Sequence, residues 1–214
     1  MYFPAKKSIA TIVFTLLAFT SYAQQSKFSF SINSLTTNFN YGSANKGLQP
    51  YKKNFKGLQI GTAYQIGLTP NFSLAPEANF AIKGGILGAG NPVSAGKTSV
   101  RLYTIDVPVF ARLHLGQFYL NAGPYAGYTL GGLIKIDGSA DVAPSKSKIS
   151  FGRGASDFKR WDYGLQAGAG YNFQLEKSVL TLDARYGYGL ANMSVDIARY
   201  NRMLNISLIM SKRK

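Results

Sequence analysis

Glu77, Asp106, Asp162, Asp183 and His114 are the side chains whose types could do chemistry in this sequence. The four carboxylates could act as general acids and bases or gather round a metal ion. His114 is the single histidine and could serve as general base toward a serine or a water. The spacing does not support either use. No Gly-x-Ser-x-Gly elbow is present, and no acidic pair clusters with His114 in sequence. Neither a phosphate-cradling glycine loop nor a calcium-binding loop pattern occurs. Lys83, Arg112 and Arg185 instead fall on the same alternating face as the four carboxylates. The expectation is therefore a paired polar network of Glu77, Lys83, Asp106, Arg112, Asp162, Asp183 and Arg185, with no catalytic, cofactor or metal site. Unpaired buried charge costs several kcal/mol, so such a group has to be paired and hydrogen-bonded.

The elements that carry these residues have a period of two, which argues strands. Eight segments follow it, at about 28–39, 58–68, 72–83, 105–114, 118–130, 161–173, 180–190 and 204–210. The first shifts phase between Ile32 and Leu35, which predicts a bulge there. The connections, near 40–56, 69–71, 84–98, 116–117, 131–159, 175–177 and 191–199, alternate long and short. Consecutive connections of an up-and-down barrel emerge at opposite ends. Short turns at one end and long loops at the other is the asymmetry of outer-membrane barrels. Strands of this length suit a tilted crossing, which takes about 9–11 residues. His114 then falls beside the turn 116–117, at the periplasmic rim. The Gly-, Ser-, Ala- and Lys-rich stretch 131–154 reads as a mobile surface loop.

Composition narrows the class. The 214 residues suit one sizeable domain. They include no cysteine, which rules out a disulfide framework, a thiolate metal site, a thiol nucleophile and an N-terminal lipidated cysteine. Lys and Arg number 24 against 9 Asp and Glu, yet charged residues are only 15% of the chain, sparse for a nucleic-acid binder. Residues 1–23 combine Lys6 and Lys7, an apolar run from Ile9 to Phe19 and Ser21-Tyr22-Ala23. That is a secretory signal peptide cleaved after Ala23, leaving residues 24–214 as one domain with a net charge of +13. Export makes nucleic acid an implausible partner. No later stretch approaches 18 consecutive apolar residues, so helical spans are excluded.

Alternation alone does not tell a membrane barrel from its inside-out, lipocalin-like counterpart. Residue size does. The less apolar face is repeatedly tiny, with Gly61, Gly67, Gly123, Gly127, Gly164, Gly168, Gly170, Gly187 and Gly189, which suits a narrow eight-stranded lumen filled by its own side chains. The opposite face is bulky and nearly uncharged. Tyr64, Phe72, Phe118, Tyr128, Trp161, Tyr171, Phe173 and Tyr188 lie near strand ends, as an aromatic girdle at the headgroup level would. The long connections are basic, through Lys46, Lys52, Lys53 and Lys56 in the first and Lys135, Lys146 and Lys148 in the third. Facing outward, they would attract phosphorylated lipopolysaccharide or anionic partner surfaces.

Four segments in order, Ile105-Asp106-Val107-Pro108-Val109, residues 119–125, residues 162–171 and residues 182–190, carry a resemblance over residues 24–214. They resemble the outer-membrane β-barrel domain family often labelled porin or PorT family. The resemblance implies an all-β, eight-stranded antiparallel up-and-down transmembrane barrel in the bacterial outer membrane, behind a cleaved signal peptide. It also implies barrel-assembly machinery as a partner during biogenesis and outer-membrane lipid thereafter. One departure stands out. Such barrels commonly finish on an aromatic residue, whereas this chain ends Ile209-Met210-Ser211-Lys212-Arg213-Lys214, so either the basic tail passes the rim or the insertion signal differs. The expected function is non-enzymatic, structural and surface-interacting, with at most a small conductance. The alternatives are a transport or secretion-accessory barrel that binds other envelope proteins, and a secreted lipocalin-like ligand binder.

Overall fold

The computed structural model describes residues 26–138 and 143–213. The expected signal peptide at 1–23 lies outside the described residues. Eight long strands carry the chain: β1 (Lys27–Asn40), β2 (Phe55–Thr69), β3 (Phe72–Leu87), β4 (Thr98–Leu115), β5 (Phe118–Ile136), β6 (Trp161–Gln174), β7 (Ser178–Gly189) and β8 (Tyr200–Lys212). Each pairs antiparallel with its sequence neighbours. β1 also pairs with β8, from Ser29 opposite Ser211 to Asn40 opposite Tyr200, so the sheet closes and leaves no unpaired edge. The result is the eight-stranded up-and-down barrel that the alternation and the loop lengths predict.

Residues 70–71, 116–117 and 175–177 make the tight turns at one end. Gly116 has φ of +68°, the left-handed conformation that a two-residue hairpin between β4 and β5 needs. The other end carries the long connections, 41–54, 88–97, 137–160 and 190–199. The stretch read as one mobile loop, 131–154, contains regular structure. β5 runs on to Ile136, and a short strand, Ser145–Lys148, pairs with Leu133–Ile136. In the first connection, Lys52 and Lys53 likewise pair with Leu87 and Ile86 of β3.

The bulge expected between Ile32 and Leu35 is absent. β1 pairs without a break along both its neighbours, and the register shifts lie elsewhere, between Gly67 and Thr69 and between Tyr103 and Thr104. What changes along β1 is not the backbone but the side on which apolar residues are useful. Phe28, Phe30 and Ile32 point outward and are about half exposed, whereas Leu35 and Phe39 point inward and are buried. Below that point the outside has to be apolar; above it, the barrel has an ordinary hydrophobic interior. Phe39, Tyr41, Leu48, Leu87, Val100, Leu102, Ile149, Phe158 and Met193 form a buried core at the loop end. Three of the four long connections contribute to it; Lys159 N to Met193 O (2.9 Å) and Val195 N to Asp157 O (3.1 Å) tie the last two together, and Ala198 N to Asn45 Oδ1 (3.0 Å) ties in the first.

Candidate functional site

Inward charged positions of four strands, β3, β4, β6 and β7, meet in the lumen as two layers. The loop-side layer is built on Lys83 of β3. Its Nζ donates to Asp106 Oδ1 of β4 at 2.9 Å and to Asp162 Oδ2 of β6 at 3.3 Å. Asp162 also accepts from Asn201 Nδ2 (3.0 Å) and from the Tyr125 hydroxyl (3.2 Å). One ammonium thus serves two carboxylates, and neutral donors spread the excess negative charge. Lys83 stands where a metal would have to sit between the aspartates, and no metal-binding group occurs among the described residues.

The turn-side layer is built on Arg185 of β7. Its guanidinium donates through Nη1 to Glu77 Oε2 of β3 at 2.8 Å and through Nε to Asp183. Asp183 Oδ2 accepts from the Tyr119 hydroxyl (2.6 Å) and Asn121 Nδ2 (2.9 Å). Arg112 approaches Glu77 at 4.0 Å, donates to Gln65 Oε1 at 3.0 Å and lies over the Tyr119 ring at 4.3 Å. Glycine makes room for these groups. A Cβ on Gly170 would fall 2.3 Å from the Tyr119 ring, and one on Gly127 would fall 2.3 Å from Asp106 Oδ1.

The structure brings all seven charged residues of the expected network inside the barrel. Tyr119 and Asn121 add hydrogen bonds to Asp183, and Tyr125 and Asn201 to Asp162, whereas Glu77 Oε1 and Arg112 Nε have no hydrogen-bond partner among the described residues; the sequence expectation does not include these four neutral residues. Their signal was phase: Tyr119 alternates with outward Phe118 and Leu120, which marks it as inward.

His114 sits at the turn end of the lumen. Its Nε2 is 2.8 Å from Ser73 Oγ and 3.4 Å from Gln65 Nε2. Among the described residues no carboxylate bonds to the ring to orient it. His114 lines a cavity of about 280 Å³ with Lys27, Gln65, Asn172 and Arg213, but Ser73 does not reach that cavity and is 1% exposed. Gly96-Lys97-Thr98 ends the glycine-rich run, yet it opens strand β4 rather than a helix, and Lys97 pairs with Asp137 at 3.5 Å. It is therefore not a phosphate loop.

On the outside, the eight expected girdle aromatics divide between the two rims. Phe72, Phe118, Tyr171, Phe173 and Tyr64 lie toward the turn end, with Tyr171 in edge contact with Phe118 (4.6 Å) and Phe173 (4.7 Å). Tyr128, Trp161 and Tyr188 lie toward the loop end, with Tyr128 and Trp161 5.1 Å apart. Between the rims the outward positions carry no charge: Phe30, Ile60, Phe80, Val107, Leu120, Leu165, Leu182 and Ile206 are typical. The seven basic loop residues are all exposed. Lys135 pairs with Asp137 at 2.9 Å, and Lys56 donates to Thr36 Oγ1 at 2.8 Å.

A closed barrel with a charged interior and an uncharged, aromatic-rimmed exterior points to one environment, and the sequence comparison agrees. The outer membrane protein beta-barrel domain family matches residues 22–195. The chain belongs to that family. Among solved structures, the barrel is similar to neisserial surface protein A, NspA (10% identity, 89% of this chain and 100% of that one, TM-score 0.45). It is similar also to Ail of Yersinia pestis (16%, 89% and 100%, 0.43) and to OprG of Pseudomonas aeruginosa (10%, 87% and 94%, 0.45). No curated protein sequence matches. In this outer membrane barrel most large apolar residues of the strands, such as Phe30, Ile60, Leu165 and Ile206, face out.

Proposed function

We propose that this outer membrane barrel is non-enzymatic, conducts at most weakly, and works through its loop surface. The observation that carries the reading is the pair of charged layers across the lumen. Lys83, Asp162 and Asp183 are 0% exposed, which supports a lumen filled by its own side chains. An eight-stranded barrel has an interior that side chains fill, whereas open channels belong to barrels of about 16–18 strands. The buried Ser73 hydroxyl, with a histidine that no carboxylate orients, argues for a structural hydrogen bond rather than an activated nucleophile.

With the lumen filled, the exposed chemistry lies on the loops. Among the described residues Lys46, Lys52, Lys53, Lys146 and Lys148 form no salt bridge, and they present like charge at one end of the barrel. Phosphorylated lipopolysaccharide headgroups are the anions such a surface would meet in the outer leaflet.

Planar-bilayer recording on the refolded barrel is the test of the lumen. The expected trace shows no steady conductance, and a stable open level of porin size would overturn the filled lumen. Binding to lipopolysaccharide before and after enzymatic dephosphorylation tests the surface. The expected loss of binding with the phosphates should match the loss in Lys46→Gln/Lys52→Gln/Lys53→Gln.

A further inference from the structure

The basic chain end that departs from the family pattern is not a loose tail at its start. β8 continues to Lys212, and Arg213 is anchored by two bonds to the β6–β7 turn, N to Lys177 O (3.1 Å) and Nη1 to Leu175 O (3.0 Å). This places Lys212 and Arg213 beside Lys177 of that turn and Lys27 at the start of β1. The four cations border an open groove of about 840 Å³ where β8 meets β1, Lys27 and Arg213 from the rim they share with the luminal cavity beside His114. Its walls are Phe28, Phe30 and Met210, which face outward and are about half exposed. No acidic residue lines it, and none of the four cations makes a salt bridge among the described residues.

We infer that this groove is a binding site for an anionic phospholipid of the leaflet at the turn end. The arrangement matches both halves of such a molecule. Cations at a membrane surface attract acidic headgroups over roughly a Debye length. Directly along the wall, two phenyl rings and a thioether offer apolar surface to acyl chains. A soluble anion would use the cations but leave Phe28, Phe30 and Met210 without a role, and a zwitterionic lipid would use the wall but leave the four charges uncompensated. The inference rests on the membrane barrel and not on the loop-surface reading. The basic end of the chain then acts as a headgroup clamp across the strand pair that closes the barrel.

The experiment is native mass spectrometry of the full barrel released from mixed vesicles holding equal phosphatidylglycerol and phosphatidylcholine of matched chains. The expected spectrum retains phosphatidylglycerol over phosphatidylcholine by about tenfold. In Lys177→Gln/Lys212→Gln/Arg213→Gln that preference should fall toward one, whereas Lys146→Gln/Lys148→Gln at the loop end should keep it. Equal retention of the two lipids, an unchanged preference in the first variant, or an equal loss in the second would overturn the site. Displacement of the lipid by millimolar inorganic phosphate would also overturn it, by reducing the groove to a simple anion site. A heat-dependent gel shift in each variant reports whether the barrel has formed. If the triple variant lacks the shift, Lys177→Gln alone, in the exposed turn, decides.

Discussion

Lys83 is held by two carboxylates at once, and its removal strands both of them. Lys83→Met is expected to destabilise the barrel by ~3–5 kcal/mol, the usual cost of an orphaned buried charge. The denaturant midpoint of the heat-dependent gel shift would show it. Adding Asp106→Asn and Asp162→Asn should restore most of the loss, because the desolvation penalty leaves with the charges. An unchanged midpoint in Lys83→Met would mean that water reaches this layer. Ser73 and His114 give a second residue-scale expectation. A serine-reactive fluorophosphonate should not label the folded barrel, and Ser73→Ala should behave like the unmodified chain. Labelling that disappears in Ser73→Ala would turn the pair into an active nucleophile.

At the scale of the strand, the outward positions between the rims tolerate no charge. Ile206→Arg, near the middle of β8, is expected to cost ~2–4 kcal/mol, the usual penalty at a bilayer midplane. The naturally outward Arg202 lies four residues toward the loop end, where its guanidinium stacks 3.5 Å from the Tyr188 ring. Refolding yield in vesicles would rank the two positions, and equal tolerance of Arg at both would misplace the belt. Strand number, turn positions and inward phase were legible in the sequence because alternation reports them directly. Asp183 between Leu182 and Ala184 is an unambiguous inward residue. Two things were not legible. The change of polarity along β1 imitated a bulge, since a bulge and an inverted environment produce the same pattern of letters. The hydrogen-bond partners of the charges, such as Tyr125 for Asp162, come from strands far apart in sequence, and their registers depend on the closed ring.

For the molecule as a whole, the barrel is two structures in series: a lipid-facing wall round charged layers, and a water-facing cap round an apolar core. Tyr41 belongs to the cap and packs edge-on against Phe39 at 6.5 Å. Burial pushes its hydroxyl up to about 12 from the usual 10, with the nearby Arg199 charge only partly opposing. The neutral phenol is therefore the form the folded cap favours. Its contribution is complete below pH 10 and is lost as pH rises toward 12. Ultraviolet titration of the unmodified chain against Tyr41→Phe should isolate this late ionisation, which moves to an ordinary value when Phe39→Ala loosens the cap. An unshifted alkaline transition in that variant would remove the cap from the explanation.

The cap also gives insertion a direction. Its apolar side chains are carried by three connections far apart in sequence, which would cross a bilayer as separate segments if the strands insert turn end last. On the far side they condense into one core, and none of the three contributing loops can slide back without dragging Leu48, Phe158 or Met193 out of it. The core acts as a pawl: passage outward is open to an extended chain, and retreat is blocked by a folded one.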